Sequence, residues 1–143
     1  MKLGLVLLTM FASACNDPKS SAGFRLPDGD VERGKAAFLE LKCHTCHTVD
    51  GTDIPTPSKD HAYVRVVILG GEVRQVKTYG ELVTSIINPS HSLAPGYPRD
   101  LITKGNQSAM ANFNDTMTIR QLIDLVAFLQ SRYKFVPPEV PVY

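Results

Sequence analysis

The residues that carry the most chemistry lie together at 43–47, Cys-His-Thr-Cys-His. Two thiols three positions apart, followed at once by an imidazole, make a C-x-x-C-H run, the spacing of c-type haem attachment. Each thiol can form a thioether to a haem vinyl group, and the histidine that follows can place a nitrogen under the iron. Covalent attachment prevents cofactor loss, which matters for a small chain. Two other chemistries compete for these residues. A structural zinc site needs two more ligands at a second knuckle, and the chain has no second C-x-x-C and no H-x-x-x-H. A thioredoxin-like dithiol needs to follow a strand in a βαβ setting. The segment before Cys43 reads otherwise: Val31, Gly34, Phe38 and Leu41 recur at helical spacing, with Asp28 or Asp30 placed to cap the start.

An iron held by one histidine leaves a sixth position, and its occupant decides function. Methionine there gives an electron-transfer site of raised potential, whereas an open position binds a gas or substrate. Beyond Met1 and Met10 the chain has Met110 and Met117. A helix is predicted from Ile119 to about Tyr133, with Leu122, Leu125, Val126 and Leu129 on one face. Thr118 is its N-cap, Gln121 completes a capping box, and Met117 stands where a hydrophobic staple onto Leu122 belongs. Met110 sits instead in Ser108-Ala109-Met110-Ala111-Asn112-Phe113, a loop free to approach the iron or to fill a core edge. His61 and His91 are rival nitrogen ligands, but both stand in polar turn contexts that suit surface histidines. His44, between the thiols, is expected to point away from the iron.

Gly29-Asp30-Val31-Glu32-Arg33-Gly34-Lys35-Ala36-Ala37-Phe38, leading into Cys43, resembles the first helix of class I c-type cytochromes. The resemblance implies an all-α, cytochrome c-like wrap around one covalent haem c, spanning residues 29–134, with Gly34 and Phe38 packed on the last helix. It implies Cys43 and Cys46 as thioether anchors, His47 as proximal ligand and Met110 as distal ligand. The Met110 segment resembles the family's Met-x-x-Phe, with Ala111 where proline is usual. It also implies a loop proline whose carbonyl accepts the Nδ1 proton of His47, and Pro55 and Pro57 both match. Residues 62–78 depart from the minimal pattern and read as a small β-hairpin insertion turning at Gly70-Gly71. Tyr79 to Asn88 reads as a short helix ended by Pro89. With Pro95-Gly96-Tyr97 it is similar to the mid-chain segment of bacterial monohaem cytochromes and of cytochrome modules of dehydrogenases. Tyr97 and Arg99 are either partners for haem propionates or plain surface residues.

The chain ends supply an address. Met1-Lys2 precedes an apolar run from Leu3 to Ala14, about twelve residues where a bilayer-spanning helix takes about twenty. A basic start, an apolar centre and small residues predict a signal peptide over 1–14. Ala12-Ser13-Ala14-Cys15 resembles a bacterial lipobox, with Ala12 where Leu is usual, so that Cys15 would carry lipid. An ordinary Ala-x-Ala cleavage, leaving a free thiol, is the alternative. Residues 15–28 read as a flexible tether and 135–143 as a Pro-rich extended tail.

At 143 residues the chain has the length of one domain. Fifteen basic against fourteen acidic residues give a net charge of +1, and loss of residues 1–14 would leave fourteen of each. That balance argues against a nucleic-acid partner. The expected protein is therefore a periplasmic monohaem cytochrome, lipid-anchored to a bacterial membrane through Cys15. It carries single electrons between redox partner proteins and is not an enzyme. The alternatives are a cytochrome subunit of a larger oxidoreductase and a haem sensor or enzyme with an open iron site.

Overall fold

The computed structural model describes residues 24, 26–55, 66–75 and 77–137. The first helix, α1 (Val31–Glu40), starts where Asp30 accepts a hydrogen bond from the Arg33 N–H at 2.8 Å. That bond satisfies one of the free donors of the first turn, and Glu32 adds a negative charge at the positive end of the helix. Gly34, Ala37 and Phe38 form its buried face. After Leu41 the chain reverses at Lys42, whose φ of 57° is left-handed, and enters a single 3-10 turn at Cys43–Thr45.

The last helix, α4 (Ile119–Gln130), has the predicted capping box of Thr118 and Gln121. It buries Leu122, Ile123, Asp124, Leu125, Val126, Phe128 and Leu129, nearly its whole circumference, which makes it the core of the molecule. Between these lies α2 (Tyr79–Ile87), capped by Thr78 and Glu81 and packed on α4 through Leu82, Val83 and Ile86. It stops at Asn88, the residue before Pro89, where the helical backbone is disfavoured. Each buried Leu, Ile or Phe in this cluster contributes about 1.5–3 kcal/mol of apolar burial. No helix among the described residues is long and apolar enough to cross a membrane.

The α1–α4 contact is the closest in the fold. A Cβ placed on Gly34 would lie 2.0 Å from the Asp124 carbonyl oxygen and 2.6 Å from Phe128 Cβ, so only glycine fits. One turn further along α1, Phe38 meets Phe128 edge-on at 5.8 Å between ring centroids. The expectation that Gly34 and Phe38 face the last helix is met.

Asp124, only 2% exposed, also ties the two helices through its side chain. Its carboxylate accepts from the Asp30 backbone N–H at 2.8 Å and from Arg33 Nε at 2.8 Å and Nη2 at 3.1 Å. The Arg33 hydrogen bond holds this carboxyl below the ordinary carboxylate range, against the opposing effect of burial. A depressed folded-state value means the stabilisation is complete above the unfolded value of about 3.9 and is lost as pH falls through the folded one. Denaturant melts should therefore show Asp124→Asn less stable than the parent at pH 7, with the gap narrowing below about pH 4. A gap independent of pH would contradict this.

Small strands complete the architecture, and they change the expected class. β1 (His47–Val49) pairs in parallel with β2 (Val67–Leu69), His47 opposite Val67 and Val49 opposite Leu69. β3 (Gly71–Val73) pairs in parallel with β6 (Tyr133–Phe135), and Lys134 bridges to Glu72 at 2.9 Å. β4 (Thr103–Lys104) and β5 (Gln107–Ser108) form a small antiparallel pair that follows the short helix α3 (Arg99–Ile102). The fold is helical in its core but not purely all-α.

The expected hairpin at 62–78 does not form among the described residues: β2 and β3 are consecutive, yet each takes a different, distant partner. Gly70 and Gly71 do adopt the positive φ values, 80° and 78°, that a tight turn of two glycines needs. Instead of folding the strands on each other, that turn re-aims the chain from β1 to β6. Arg132 lies so close that a Cβ on Gly70 would be 2.9 Å from its own Cβ. Residues 62–65 and 76 of the expected hairpin lie outside the described residues, as do the signal peptide, Cys15, Pro57, His61 and residues 138–143. The predicted last helix is also shorter than expected, because Tyr133 belongs to β6.

Candidate functional site

The C-x-x-C-H run is presented by the junction of three elements. α1 delivers the chain, the left-handed Lys42 turns it, and the 3-10 turn closes with Cys46 N–H donating to the Cys43 carbonyl at 3.1 Å. That turn holds both thiols within one short arc, and both are free. They are not equivalent. Cys43 is half-buried against the hydrophobic core, and burial pushes its thiol up to about 11, so it is protonated at neutral pH. Cys46 is exposed.

His47 opens β1, and its ring is oriented by a single bond: Nδ1 lies 3.2 Å from the Val67 carbonyl oxygen. A carbonyl only accepts, so Nδ1 carries the proton and Nε2 keeps its lone pair. Burial lowers the His47 pKa, an effect larger than the opposing pull of the Val67 bond, and keeps the imidazole neutral. A neutral imidazole with one nitrogen committed to a backbone oxygen is the state in which histidine binds a metal. The Nδ1 partner is a correction to the expected proline. Pro55 is exposed and makes no such bond, and the strand β2, taken for an insertion, supplies the oxygen instead.

Within the same turn His44 Nδ1 is buried with no hydrogen-bond partner among the described residues. An unpaired buried polar atom costs about 1–3 kcal/mol, and here it marks a turn whose own contacts are incomplete. Among the described residues no group of three or more His, Cys, Asp or Glu has the arrangement of a metal site, so the two thiols lack the further ligands zinc takes. A free thiol pair in one turn, beside a neutral histidine with Nε2 available, suits covalent haem.

The two methionines divide as their contexts suggest. Met117 packs against the core cluster and donates its N–H to the Phe113 carbonyl at 2.8 Å. Met110 is half-buried and stands outside that cluster, on the loop between β5 and α4. Its N–H donates to Ser108 Oγ at 3.2 Å, and the Ser108 N–H donates to Ser90 Oγ at 3.0 Å. Further along, Asn114 Nδ2 donates to the Ile87 carbonyl at 2.9 Å, tying the loop to the end of α2. No hydrogen bond among the described residues links this loop to Cys43, Cys46 or His47. Two cavities, about 360 and 480 Å³, are lined by other residues. His91 is exposed in the turn after α2.

Sequence reasoning missed two contributors. Val67 had no signal, because a backbone carbonyl carries none. Tyr97 had been set between a propionate partner and a surface residue. Its hydroxyl accepts the Ile68 backbone N–H at 3.0 Å.

The cytochrome c family model matches residues 31–132. No curated protein and no solved structure matches the chain. The matched span runs from the first residue of α1 to just beyond α4 and encloses the C-x-x-C-H turn, Met110 and the whole core cluster. Covering well over half of the chain, it settles what the turn of thiols and histidine implied: the protein belongs to the cytochrome c family, is a class I c-type cytochrome, and has covalently bound haem c as its cofactor.

Proposed function

We propose that this electron-transfer protein is an exported monohaem carrier, with Cys43 and Cys46 as thioether anchors, His47 as proximal ligand and Met110 as distal ligand. The cofactor supplies a single iron that gains and loses one electron. Everything else is the work of the chain's own residues. Lys42 and the 3-10 turn hold the two thiols in one arc, Val67 fixes the tautomer and tilt of His47, and the α1–α4–α2 core keeps water from the apolar side. The observation that carries the reading is the commitment of His47 Nδ1 to Val67 beside two free thiols. Support for Met110 is comparative, since Met117 is already engaged by the core and Met110 is not.

The site carries electrons between redox partner proteins, and no substrate chemistry is assigned to it. We place it in a bacterial periplasm, held at the membrane by lipid on Cys15, on the strength of the sequence at 1–15. Mass spectrometry of the mature N-terminus reads this directly, and an unmodified Cys15 or an uncleaved leader would refute it.

Met110→Ala tests the distal ligand. The variant, reduced and in its native state, should bind carbon monoxide almost stoichiometrically and titrate at a lower potential than the parent, which should bind none. A variant with unchanged spectrum and potential removes Met110 from the site.

A further inference from the structure

One peptide group, between Val67 and Ile68, is engaged at both ends. Its carbonyl oxygen is the acceptor for His47 Nδ1, and its N–H donates to the hydroxyl of Tyr97 at 3.0 Å. The described peptide bonds are trans, so this C=O and N–H point in opposite directions. The carbonyl faces β1 and the histidine, and the N–H faces outward to Tyr97. Among the described residues β2 has one strand neighbour, β1, and on its other edge the tyrosine hydroxyl stands where a further strand's carbonyl would be. Tyr97 itself is half-buried and its backbone is confined, since it precedes Pro98, the N-cap of α3. Two bonds at the ends of the β1–β2 ladder help hold its register: Val67 N–H to the Cys46 carbonyl and Asp50 N–H to the Leu69 carbonyl, both 2.9 Å.

We propose that Tyr97 is a positioning residue for the haem iron, acting on His47 through the Val67–Ile68 peptide. Hydrogen bonds at the two ends of one peptide group polarise each other, so the Tyr97 hydroxyl makes the Val67 oxygen a stronger acceptor. A stronger acceptor draws the Nδ1 proton and makes Nε2 a more electron-rich ligand. That favours the oxidised iron and lowers the potential. The inference rests on His47 as proximal ligand. A tyrosine that merely covered a strand edge would affect stability and leave the iron alone.

The test uses the haem-loaded full chain. Tyr97→Phe keeps the ring and removes the acceptor. The reduction potential should shift upward, and in the reduced protein the His47 Nδ1 proton resonance should move upfield, with the far-UV circular dichroism unchanged. Tyr79→Phe is the control, because the Tyr79 hydroxyl has no hydrogen-bond partner among the described residues, and its potential should stay at the parent value. An unchanged or lowered potential in Tyr97→Phe overturns the proposal, as does an equal shift in the control. Should Tyr97→Phe fail to fold, a ring-fluorinated tyrosine at 97, a poorer acceptor of similar shape, should give a smaller upward shift. An unchanged potential there would equally overturn it. Failure of the site assignment would show earlier and differently: the unsubstituted reduced protein would lack the ring-current-shifted His47 resonances of an axial ligand.

Discussion

Gly34→Ala should destabilise the protein by about 3 kcal/mol and lower its melting temperature by roughly 10 °C or more. The added methyl would fall 2.0 Å from the Asp124 carbonyl oxygen and 2.6 Å from Phe128 Cβ, and neither of those atoms can rotate away. α1 and α4 must separate, and three other contacts are lost with them. The Phe38–Phe128 edge contact opens, and the bonds from Asp124 to the Asp30 N–H and to Arg33 lengthen. Alanine's better helix propensity returns about 1 kcal/mol at most, so the clash decides the sign. Gly80→Ala in α2 is the matched control. Nothing lies within 4 Å of its new Cβ, so it should be neutral or stabilising by up to about 1 kcal/mol. Equal melting temperatures for the two variants would mean that the helices do not approach this closely.

The second large effect is on the cofactor. In a Cys43→Ala/Cys46→Ala double variant, haem should be fully extractable under denaturing conditions, and intact-protein mass spectrometry should find the polypeptide without the added haem mass. Each single variant should retain one linkage and the haem mass. The single variants should differ in stability. Cys43 packs against the core cluster, so its loss removes apolar contact and should cost about 1 kcal/mol, while exposed Cys46 should cost almost nothing beyond its linkage. Haem mass persisting in the double variant would sink the attachment assignment.

Local physics explains which parts of the fold were legible. Thr118 with Gln121 capped α4 as their spacing required, and the buried face of α1 carried its period in plain sight. The site's first layer was legible for a related reason: C-x-x-C-H is contiguous, so its geometry needs no long-range contact. The hairpin misled because Gly70-Gly71 states a turn and says nothing about partners. A parallel ladder is built from hydrogen bonds between segments far apart in sequence, here 20 residues for Val67 and His47 and 62 for Glu72 and Lys134. For the same reason the proline at 55 was a poor guide to the Nδ1 partner. Any carbonyl in the right place will serve, and residue type does not mark it. The small β4–β5 pair has its cue in Gly105-Asn106, two residues of hairpin type between Lys104 and Gln107.

The pairing of the first helix with the last has a temporal consequence. Gly34 finds Asp124 and Phe128 some ninety residues later, as the 91-residue separation of Arg33 and Asp124 shows. A chain made from its N-terminus therefore has its cysteine turn complete long before α4 exists to close the core over it. During that interval α1 is ten residues long, too short to persist alone, and the Cys43 thiol has no core to hide in. The cluster that Cys43 packs against is drawn largely from α2 and α4, so full burial of its thiol waits on those later segments.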